Sequence, residues 1–312
     1  MTTENTQYEH QPVMLEEVLD MWFSQSEGFY VDGTFGRGGH SRALLARLDD
    51  NGRLAGIDRD PQAIAAGQQL AASDSRFHMV ASRFDCLPQV VEQAGRPIDG
   101  LLLDLGVSSP QLDDAARGFS FLRDGPLDMR MDPTQGESVA EWLSHAAEKD
   151  IANVLYRYGE ERKSRWIAKR ICDTRKEQPI TRTLQLANLI ESVLGRNEQG
   201  KHPATRSFQA LRIHINGELD ALNQVLEQSL ETLAIGGRLA IISFHSLEDR
   251  IVKLFIRDHS GRAPKGRGGL PLGNEMPQRL EPVGKAMRAS KAELKVNVRS
   301  RSAVLRVAEK VA

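Results

Sequence analysis

The chain has 312 residues, which allows one large domain or two of ordinary size. Hydrophobic residues make up 40% and charged residues 27%, as in soluble globular proteins, and no apolar run approaches the ~20 residues of a membrane span. The N-terminus lacks the basic and apolar regions of a secretion signal, and Cys86 and Cys172 fit no metal or redox spacing. We therefore expect a cytoplasmic protein with no membrane contact and no metal site.

The net charge of −1 conceals an uneven distribution along the chain. From Arg250 to Ala312 the net charge is +10, whereas residues 1–249 carry −11. A basic C-terminal region on an acidic body suggests a polyanionic partner such as nucleic acid, although a solvated surface without a partner explains the charge equally well.

The first predicted elements are a disordered start (residues 1–9), an amphipathic helix after Pro12, and a short buried strand at 29–31. This strand leads into the stretch around which the chain is organised. It contains Asp32, Gly36, Gly38 and Gly39 and enters a helix over about 40–48. Glycines let the backbone approach a ligand, and open α/β sheets place their ligands at the carboxyl ends of strands. The stretch predicts a nucleotide or nucleoside-cofactor loop.

Two cofactor classes compete for this loop. The dinucleotide fingerprint requires a third glycine where Ser41 stands, and Asp32 would repel a pyrophosphate. S-adenosylmethionine suits the carboxylate better, because it carries an ammonium and a sulfonium and has no phosphate. A glycine-rich turn without a ligand is the third interpretation.

The next two predicted strands end beside further candidate residues. The strand over 53–58 ends in Asp58, where a carboxylate can accept hydrogen bonds from ribose hydroxyls, and Asp60 is predicted to cap the helix that follows. The strand over 76–81 precedes Phe84, which either covers an adenine ring or belongs to the core.

A fourth strand over 98–104 is mostly apolar, as a buried parallel strand should be, and ends in Asp104. The alternation of strands and helices then stops, so residues 112–201 are predicted to be an inserted helical domain. Its third helix carries five basic residues that either face RNA or form an ordinary wet face: Arg162, Lys163, Arg165, Lys169 and Arg170.

Residues 202–312 return to the first domain, which also contains residues 1–111. We predict a long helix to about Leu233, a strand over 236–244, a helix capped by Ser246, a flexible basic loop at 260–278, and two closing strands near 280–284 and 303–307. The fold class is α/β, with a mostly parallel seven-stranded sheet and an inserted α-helical domain.

These motifs together resemble the bacterial ribosomal RNA small-subunit methyltransferase H family, which methylates N4 of a cytidine in the decoding centre of 16S ribosomal RNA. The resemblance covers most of residues 10–310 and is carried by six segments, at His10–Glu16, Asp32–Ser41, Asp104–Gln111, Gly125–Arg130, His202–Arg206 and Ser243–Arg250. It implies a class I, Rossmann-like methyltransferase that uses S-adenosyl-L-methionine and acts on 16S rRNA or the small ribosomal subunit, as a monomer or homodimer.

The resemblance also implies S-adenosylmethionine contacts at Gly38, Gly39, His40, Asp58, Phe84, Asp104 and Gln111. To these the loop itself adds Asp32 and Gly36. Asp104 is a candidate to hold the target amine. Ser108, Ser109 and Pro110 resemble the Ser/Asp-Pro-Pro-Tyr segment of amino-group methyltransferases, except that Gln111 stands at the tyrosine position. We predict that Asp104 and these three residues are catalytic. Arg206, Arg212 and the basic C-terminal region are candidates for phosphate contact.

Three other functions compete with this one. A DNA amino-methyltransferase lacks support because the aromatic residue is missing at Gln111, and a nicotinamide dehydrogenase because of Asp32 and Ser41. A non-catalytic RNA-binding or assembly protein that retains the fold is the third. Methylation at carbon 5 of cytosine would need an activated thiolate, which neither Cys86 nor Cys172 is expected to supply.

Overall fold

The computed structural model describes residues 12–196, 202–261 and 277–312. The predicted disordered start at 1–9 and most of the predicted loop at 260–278 lie outside these residues. The chain divides into two compact units. We call Met1–Gly106 with Ala221–Ala312 the sheet unit, and Val107–Asp220 the helical unit.

The sheet unit is built on one mixed sheet. Within the described residues its strands are β1 (Phe29–Asp32), β2 (Arg53–Asp58), β3 (Phe77–Ala81), β4 (Ile98–Asp104), β5 (Leu233–Ser243), β6 (Leu280–Pro282), β7 (Met287–Arg288) and β8 (Val304–Lys310). Their order is β3-β2-β1-β4-β5-β8-β6, with β7 paired to β8. The first five strands pair in parallel, and β8 runs antiparallel to β5, β6 and β7.

The predicted parallel core of the sheet is confirmed, and its edge differs in detail. The short strand β7 makes the sheet eight-stranded rather than seven-stranded. Strand β5 begins at Leu233 instead of Gly236, because Gly236 adopts a positive φ of 80° where the register with β4 shifts between Ile98 and Gly100. A bulge of this kind breaks the local pattern from which a strand start is predicted.

The described residues also form a series of α-helices. In the described residues they are α1 (Leu15–Trp22), α2 (Gly39–Leu45), α3 (Pro61–Ser73), α4 (Leu87–Ala94), α5 (Ser109–Asp113), α6 (Val139–His145), α7 (Glu148–Gly159), α8 (Ser164–Glu177), α9 (Thr183–Leu194), α10 (Thr205–Asn216), α11 (Glu218–Thr232), α12 (Ser246–Asp258) and α13 (Lys291–Val296). None of the helices in the described ranges is long and apolar enough to cross a membrane.

Both faces of the central strands are buried, which explains the run of leucines in β4. In β4, Leu101 and Leu103 lie in one core with residues of α4, α11 and α12. Leu102, between them, lies in the other core with residues of α1, α2 and α3. Successive side chains of a strand point to opposite faces, so consecutive apolar residues fill the cores on both sides of the sheet.

The cap of α3 was predicted correctly and that of α12 was not. Asp60 Oδ1 accepts a hydrogen bond from the Gln62 amide at 2.8 Å, and a proline occupies the first turn. At α12 the cap is His245 rather than Ser246, and the carboxylate of Glu248 reaches back to the His245 amide. The third residue after a cap often supplies this reciprocal bond.

Tyr30 ties β1 to the turn that precedes it. Its buried ring packs edge-to-face on Trp22, with centroids 5.8 Å apart. Its hydroxyl accepts hydrogen bonds from the amides of Ser24 and Gln25, both at 2.9 Å, and donates to the Gln25 carbonyl at 2.8 Å.

We expect Tyr30→Phe to lower the free energy of unfolding by about 1–3 kcal/mol, because it leaves partly buried polar groups without a partner. Urea titration measures the change, and Tyr156→Phe, at an exposed tyrosine, is the control. An equal effect of the two substitutions would contradict this account of the turn.

The helical unit contains α5 to α10 around its own core, to which α6 to α10 contribute. It extends beyond the stretch 112–201 of the sequence-based division, since α10 packs against α7. The single long helix predicted to reach Leu233 is broken at Gly217, whose φ of 58° is left-handed and favours glycine.

Candidate active site

Three carboxylates lie at the carboxyl ends of three adjacent strands. Asp32 ends β1, Asp58 ends β2 and Asp104 ends β4. Strand β1 pairs in parallel with β2 on one side and β4 on the other, so these ends lie at the same edge of the sheet. The strand order reverses beside β1, and open α/β sheets bind ligands at such a point.

Asp32 is buried and holds the glycine loop. Its Oδ1 accepts a hydrogen bond from the Thr34 amide at 3.2 Å, and its Oδ2 accepts one from the Ser41 hydroxyl at 2.7 Å. Burial raises the pKa of Asp32 to about 6; the two hydrogen bonds oppose this shift, and the Asp58 charge adds to it. The hydroxyl that Asp32 requires explains why Ser41, and not the third glycine of a dinucleotide fingerprint, stands at this position.

Asp58 connects the loop to the next helix. Its Oδ2 accepts a hydrogen bond from the Gly36 amide at 2.8 Å, and its Oδ1 accepts one from the Asp60 amide at 2.9 Å. Burial raises the pKa of Asp58, and these two amide bonds oppose the shift. The side chain retains partial exposure. Each carboxylate oxygen can accept more than one bond, so capacity for a ligand remains.

The loop glycines serve different purposes. A Cβ on Gly38 would lie 2.6 Å from the Phe35 ring, and one on Gly39 would lie 2.3 Å from Cγ of Pro12. Packing inside the protein therefore requires these two glycines. Gly36, with a φ of 55°, has only the Thr34 carbonyl oxygen near its absent Cβ, at 3.8 Å, and leaves open space.

Asp104 has a buried carboxylate oxygen and a raised pKa. Its Oδ1 is buried and has no hydrogen-bond partner among the described residues, although about a quarter (26%) of the side-chain surface is exposed. Burial, followed by the charges of Asp32 and Glu248, raises the pKa of Asp104 to about 8. This raised pKa could not be read from contiguous residues, since it arises from desolvation and from the charges of Asp32 and Glu248, which only folding brings close.

His40 approaches Asp104 from the first turn of α2. Its Nε2 lies 3.0 Å from the Val13 carbonyl oxygen, which can only accept, so Nε2 carries a proton. Its Nδ1 lies 4.0 Å from Asp104 Oδ2. The structure therefore brings together two residues that the resemblance assigned to one ligand.

Two residues absent from the sequence-based site support it. The Thr34 hydroxyl oxygen accepts a hydrogen bond from the Asp104 amide at 2.6 Å. Glu248 is buried after β5, where its Oε2 accepts a hydrogen bond from the Phe244 amide at 2.9 Å. The spacing of His245 and Glu248, typical of a capping box, could have indicated Glu248 in advance.

Phe84 lies in a short turn of 3₁₀-helix after β3 and is partly buried against one core of the sheet unit. A Cβ on Gly33 would lie 3.2 Å from the Cβ of Phe84, so the Phe84 side chain lies beside the start of the glycine loop. Both predicted roles, core residue and ring cover, are compatible with this position.

Four predicted site residues belong to the helical unit. Ser108 caps α5: its hydroxyl oxygen accepts a hydrogen bond from the Gln111 amide, and Gln111 Oε1 accepts one from the Ser108 amide at 2.9 Å. Pro110 lies in the first turn of this short helix. Ser109 Oγ is buried without a hydrogen-bond partner in the described part of the chain. Ser108 and Gln111 thus have a structural role that their motif alone did not reveal.

Neither cysteine has an activated thiol, and Arg212 is hydrogen-bonded to a carboxylate. Burial raises the pKa of the Cys86 thiol, which is the opposite of activation, and Cys172 is buried in α8. Arg212, a candidate for phosphate contact, instead donates two hydrogen bonds to the Glu218 carboxylate, at 2.8 and 2.7 Å.

The raised pKa values predict a pH dependence of stability. The folded protein retains protons on Asp32 and Asp104 that the unfolded chain, with carboxyl pKa values near 3.8, would release. The contribution of these groups is therefore greatest below about pH 4 and declines as pH rises through about 6 and then about 8.

Thermal unfolding at several pH values, compared between the wild type and Asp104→Asn, isolates the Asp104 contribution. We expect the difference in melting temperature to grow in favour of the variant between about pH 6 and 8. A difference that stays constant would contradict the raised pKa of Asp104.

The parallel sheet with its reversal of strand order beside β1, the glycine loop after β1 and the carboxylates at three strand ends define a class I, Rossmann-like methyltransferase. The chain belongs to the MraW methylase family, whose model matches residues 7–311. The protein is thus a methyltransferase, and the methyl donor of this class is S-adenosyl-L-methionine.

Similar proteins cover the whole chain. The "Ribosomal RNA small subunit methyltransferase H" of Alcanivorax borkumensis is 95% identical over 312 residues, all of both chains. The protein of the same name from Shewanella amazonensis is 56% identical and covers 97% of this chain and 98% of its own. An rRNA methylase structure from Streptococcus thermophilus is 12% identical, with a TM-score of 0.40 over 95% of this chain and 93% of that one.

The residues at the strand ends fit the cofactor. The carboxylate of Asp104 has an orphaned buried oxygen, Asp32 and Glu248 add negative charge, and a cationic ligand would relieve the repulsion among these groups. Gly36 leaves open space beside Asp58, where a ribose can approach.

Proposed function

We propose that this protein transfers a methyl group from S-adenosyl-L-methionine to N4 of a cytidine in the decoding centre of 16S ribosomal RNA. Two relatives with the same name, 95% and 56% identical, support a ribosomal RNA of the small subunit as the substrate class. The cytidine and its amino group are the finer part of the proposal. The protein works in the cytoplasm, where the small ribosomal subunit is found.

The observation that carries the proposal is the raised pKa of Asp104, together with its buried oxygen that lacks a hydrogen-bond partner among the described residues. An exocyclic amine of cytosine is a poor nucleophile, because its lone pair is delocalised into the ring, and its proton becomes acidic only as the methyl group arrives. A carboxylate with a pKa of about 8 in the ligand-free protein is a better proton acceptor than an ordinary aspartate.

Bound S-adenosyl-L-methionine supplies an electrophilic methyl group on a positively charged sulfur. That positive charge favours the ionised form of Asp104, just as Asp32 and Glu248 disfavour it. Ionised Asp104 accepts a hydrogen bond from the amine, localises its lone pair, and takes the proton as the new bond forms. The buried orphan Oδ1 is free to make this bond.

The other residues bind the cofactor and orient it and the target base. Asp58 accepts hydrogen bonds from ribose hydroxyls, Phe84 covers the adenine, and the loop at Gly36, Gly38 and Gly39 follows the cofactor. By holding the cofactor and the target amine together, these residues would lower the barrier by up to about 7–11 kcal/mol. In this proposal His40 and Gln111 contact the cofactor, Ser108, Ser109 and Pro110 act on the target amine, and the helical unit recognises the RNA.

Labelled S-adenosylmethionine and small ribosomal subunits that lack the modification test the proposal. We expect one label per subunit, on N4 of a single cytidine, identified by mass spectrometry of the digested RNA. Label on another base, or on carbon 5, would replace the proposed target. Cofactor binding without any transfer would support a non-catalytic RNA-binding protein.

A further inference from the structure

The helical unit has a second candidate site on the outer face of α8. An open cavity of about 380 Å³ is lined by Lys163, Trp166, Lys169, Arg170, Asp173 and Val193. Trp166, which lines this cavity, is 69% exposed, whereas Trp22 and Trp142 are buried, at 0% and 8% exposure. A large aromatic ring surrounded by cations is not explained by the core of the unit.

The helix period separates this face from the core. Trp166, Lys169, Arg170 and Asp173 are spaced three, four and seven residues apart and share one side of α8. The buried residues lie on the other side and pack in the core of the helical unit: Ile167, Ala168, Ile171 and Cys172. A tryptophan at the core-facing positions would be ordinary packing, but this one stands in the middle of the polar face.

The charges around Trp166 favour an anion. Lys163 and Arg170 are exposed, and neither has an ion-pair partner in the described ranges. The single lining carboxylate, Asp173, is already paired with Lys169 at 3.1 Å and Lys176 at 3.5 Å. Arg165 on α8, and Arg162 just before the helix, add positive charge and have no ion-pair partners among the residues that the structure describes.

We infer that this face binds an unpaired nucleotide of RNA, with the base stacked on Trp166 and the adjoining phosphates held by Lys163 and Arg170. An indole ring offers a face on which any base can stack, and the cations follow the backbone. Double-stranded RNA hides its base faces, so the occupant is single-stranded. The site rests on the proposed RNA substrate but lies outside the residues assigned to the reaction.

Binding of a fluorescein-labelled, unstructured RNA of about 12 nucleotides to the full-length protein tests this inference, since stacking surfaces engage roughly 4–16 nucleotides. We expect Trp166→Leu to weaken binding about 10-fold and Trp166→Phe to restore most of it. Tyr156→Leu is the matched control, because Tyr156 is 63% exposed on α7 and does not line the cavity.

Two further measurements separate stacking from charge. Binding of RNA should protect the tryptophan fluorescence from acrylamide, because Trp166 is the one exposed tryptophan. Lys163→Gln with Arg170→Gln should weaken single-stranded and duplex RNA alike and reduce the salt dependence by about one counterion per lost contact. Trp166→Leu should leave the S-adenosylmethionine dissociation constant and the melting temperature unchanged.

The outcomes are distinct. Equal RNA affinity of the wild type and Trp166→Leu would overturn the inference while leaving the proposed methyl transfer intact. An equal loss of duplex and single-stranded RNA binding in Trp166→Leu would overturn the stacking of a base on Trp166. A loss of self-association in Trp166→Leu with unchanged RNA affinity would show that a second copy covers this face. The transfer assay on ribosomal subunits decides the proposed function independently of all three.

Discussion

Asp104→Asn should lower the single-turnover rate of methyl transfer by about 10²- to 10⁴-fold, the usual contribution of a positioned proton acceptor. The amide that replaces the carboxylate has nearly the same shape and can accept a hydrogen bond, but it cannot take the proton from the methylated nitrogen. The rate is measured with saturating labelled S-adenosylmethionine and an excess of enzyme over small subunits, so that product release does not enter.

The same variant should melt no lower than the wild type at neutral pH. It removes an unsatisfied carboxylate and its repulsion with Asp32 and Glu248, which are the causes of the raised pKa. Loss of rate therefore cannot be attributed to unfolding. Asp20→Asn, at an exposed carboxylate on α1, is the control and should retain the wild-type rate. A wild-type rate in Asp104→Asn would remove Asp104 from the mechanism.

Asp58→Ala should weaken S-adenosylmethionine binding by about 100-fold. Two hydrogen bonds to a charged acceptor contribute roughly 1.5–3 kcal/mol each, and part of this is recovered by water. The structure adds a second effect, since Asp58 also holds the amides of Gly36 and Asp60. The variant should therefore also lose some stability. Calorimetry gives the dissociation constant, and thermal unfolding gives the stability.

Asp60→Ala separates these two effects. Asp60 caps α3 through the Gln62 amide, and loss of such a cap costs about 1 kcal/mol of stability. It should leave the dissociation constant within a few-fold of the wild type. If Asp58→Ala binds the cofactor as the wild type does, or if both variants lose affinity equally, Asp58 has no specific ribose role.

Local patterns were sufficient to predict much of the fold. The apolar run of β4 and the capping residue Asp60 carry their own signals, because burial on both faces and helix capping depend on neighbouring residues. The bulge at Gly236 and the edge strand β7 were missed, because pairing with a distant strand decides them.

The candidate site, too, could be predicted from the sequence only in part. Asp32, Asp58 and Asp104 could be found from the sequence, since each follows an apolar strand. The hydrogen bonds that hold Asp32 and Asp58 in place could not be predicted. Ser41 was recognised only as a departure from the dinucleotide pattern until its partner Asp32 was placed in space. The packing of Gly38 on Phe35 and of Gly39 on Pro12 also appears only in the folded chain.

By itself, the sequence determined which chemical groups this protein can bring to a parallel sheet edge, because strand ends and helix caps are written in contiguous residues. Only the tertiary structure decided how basic one of those groups becomes. The removal of water around Asp104, and its repulsion with Asp32 and Glu248, exist only in the folded protein, because these residues are distant in the chain.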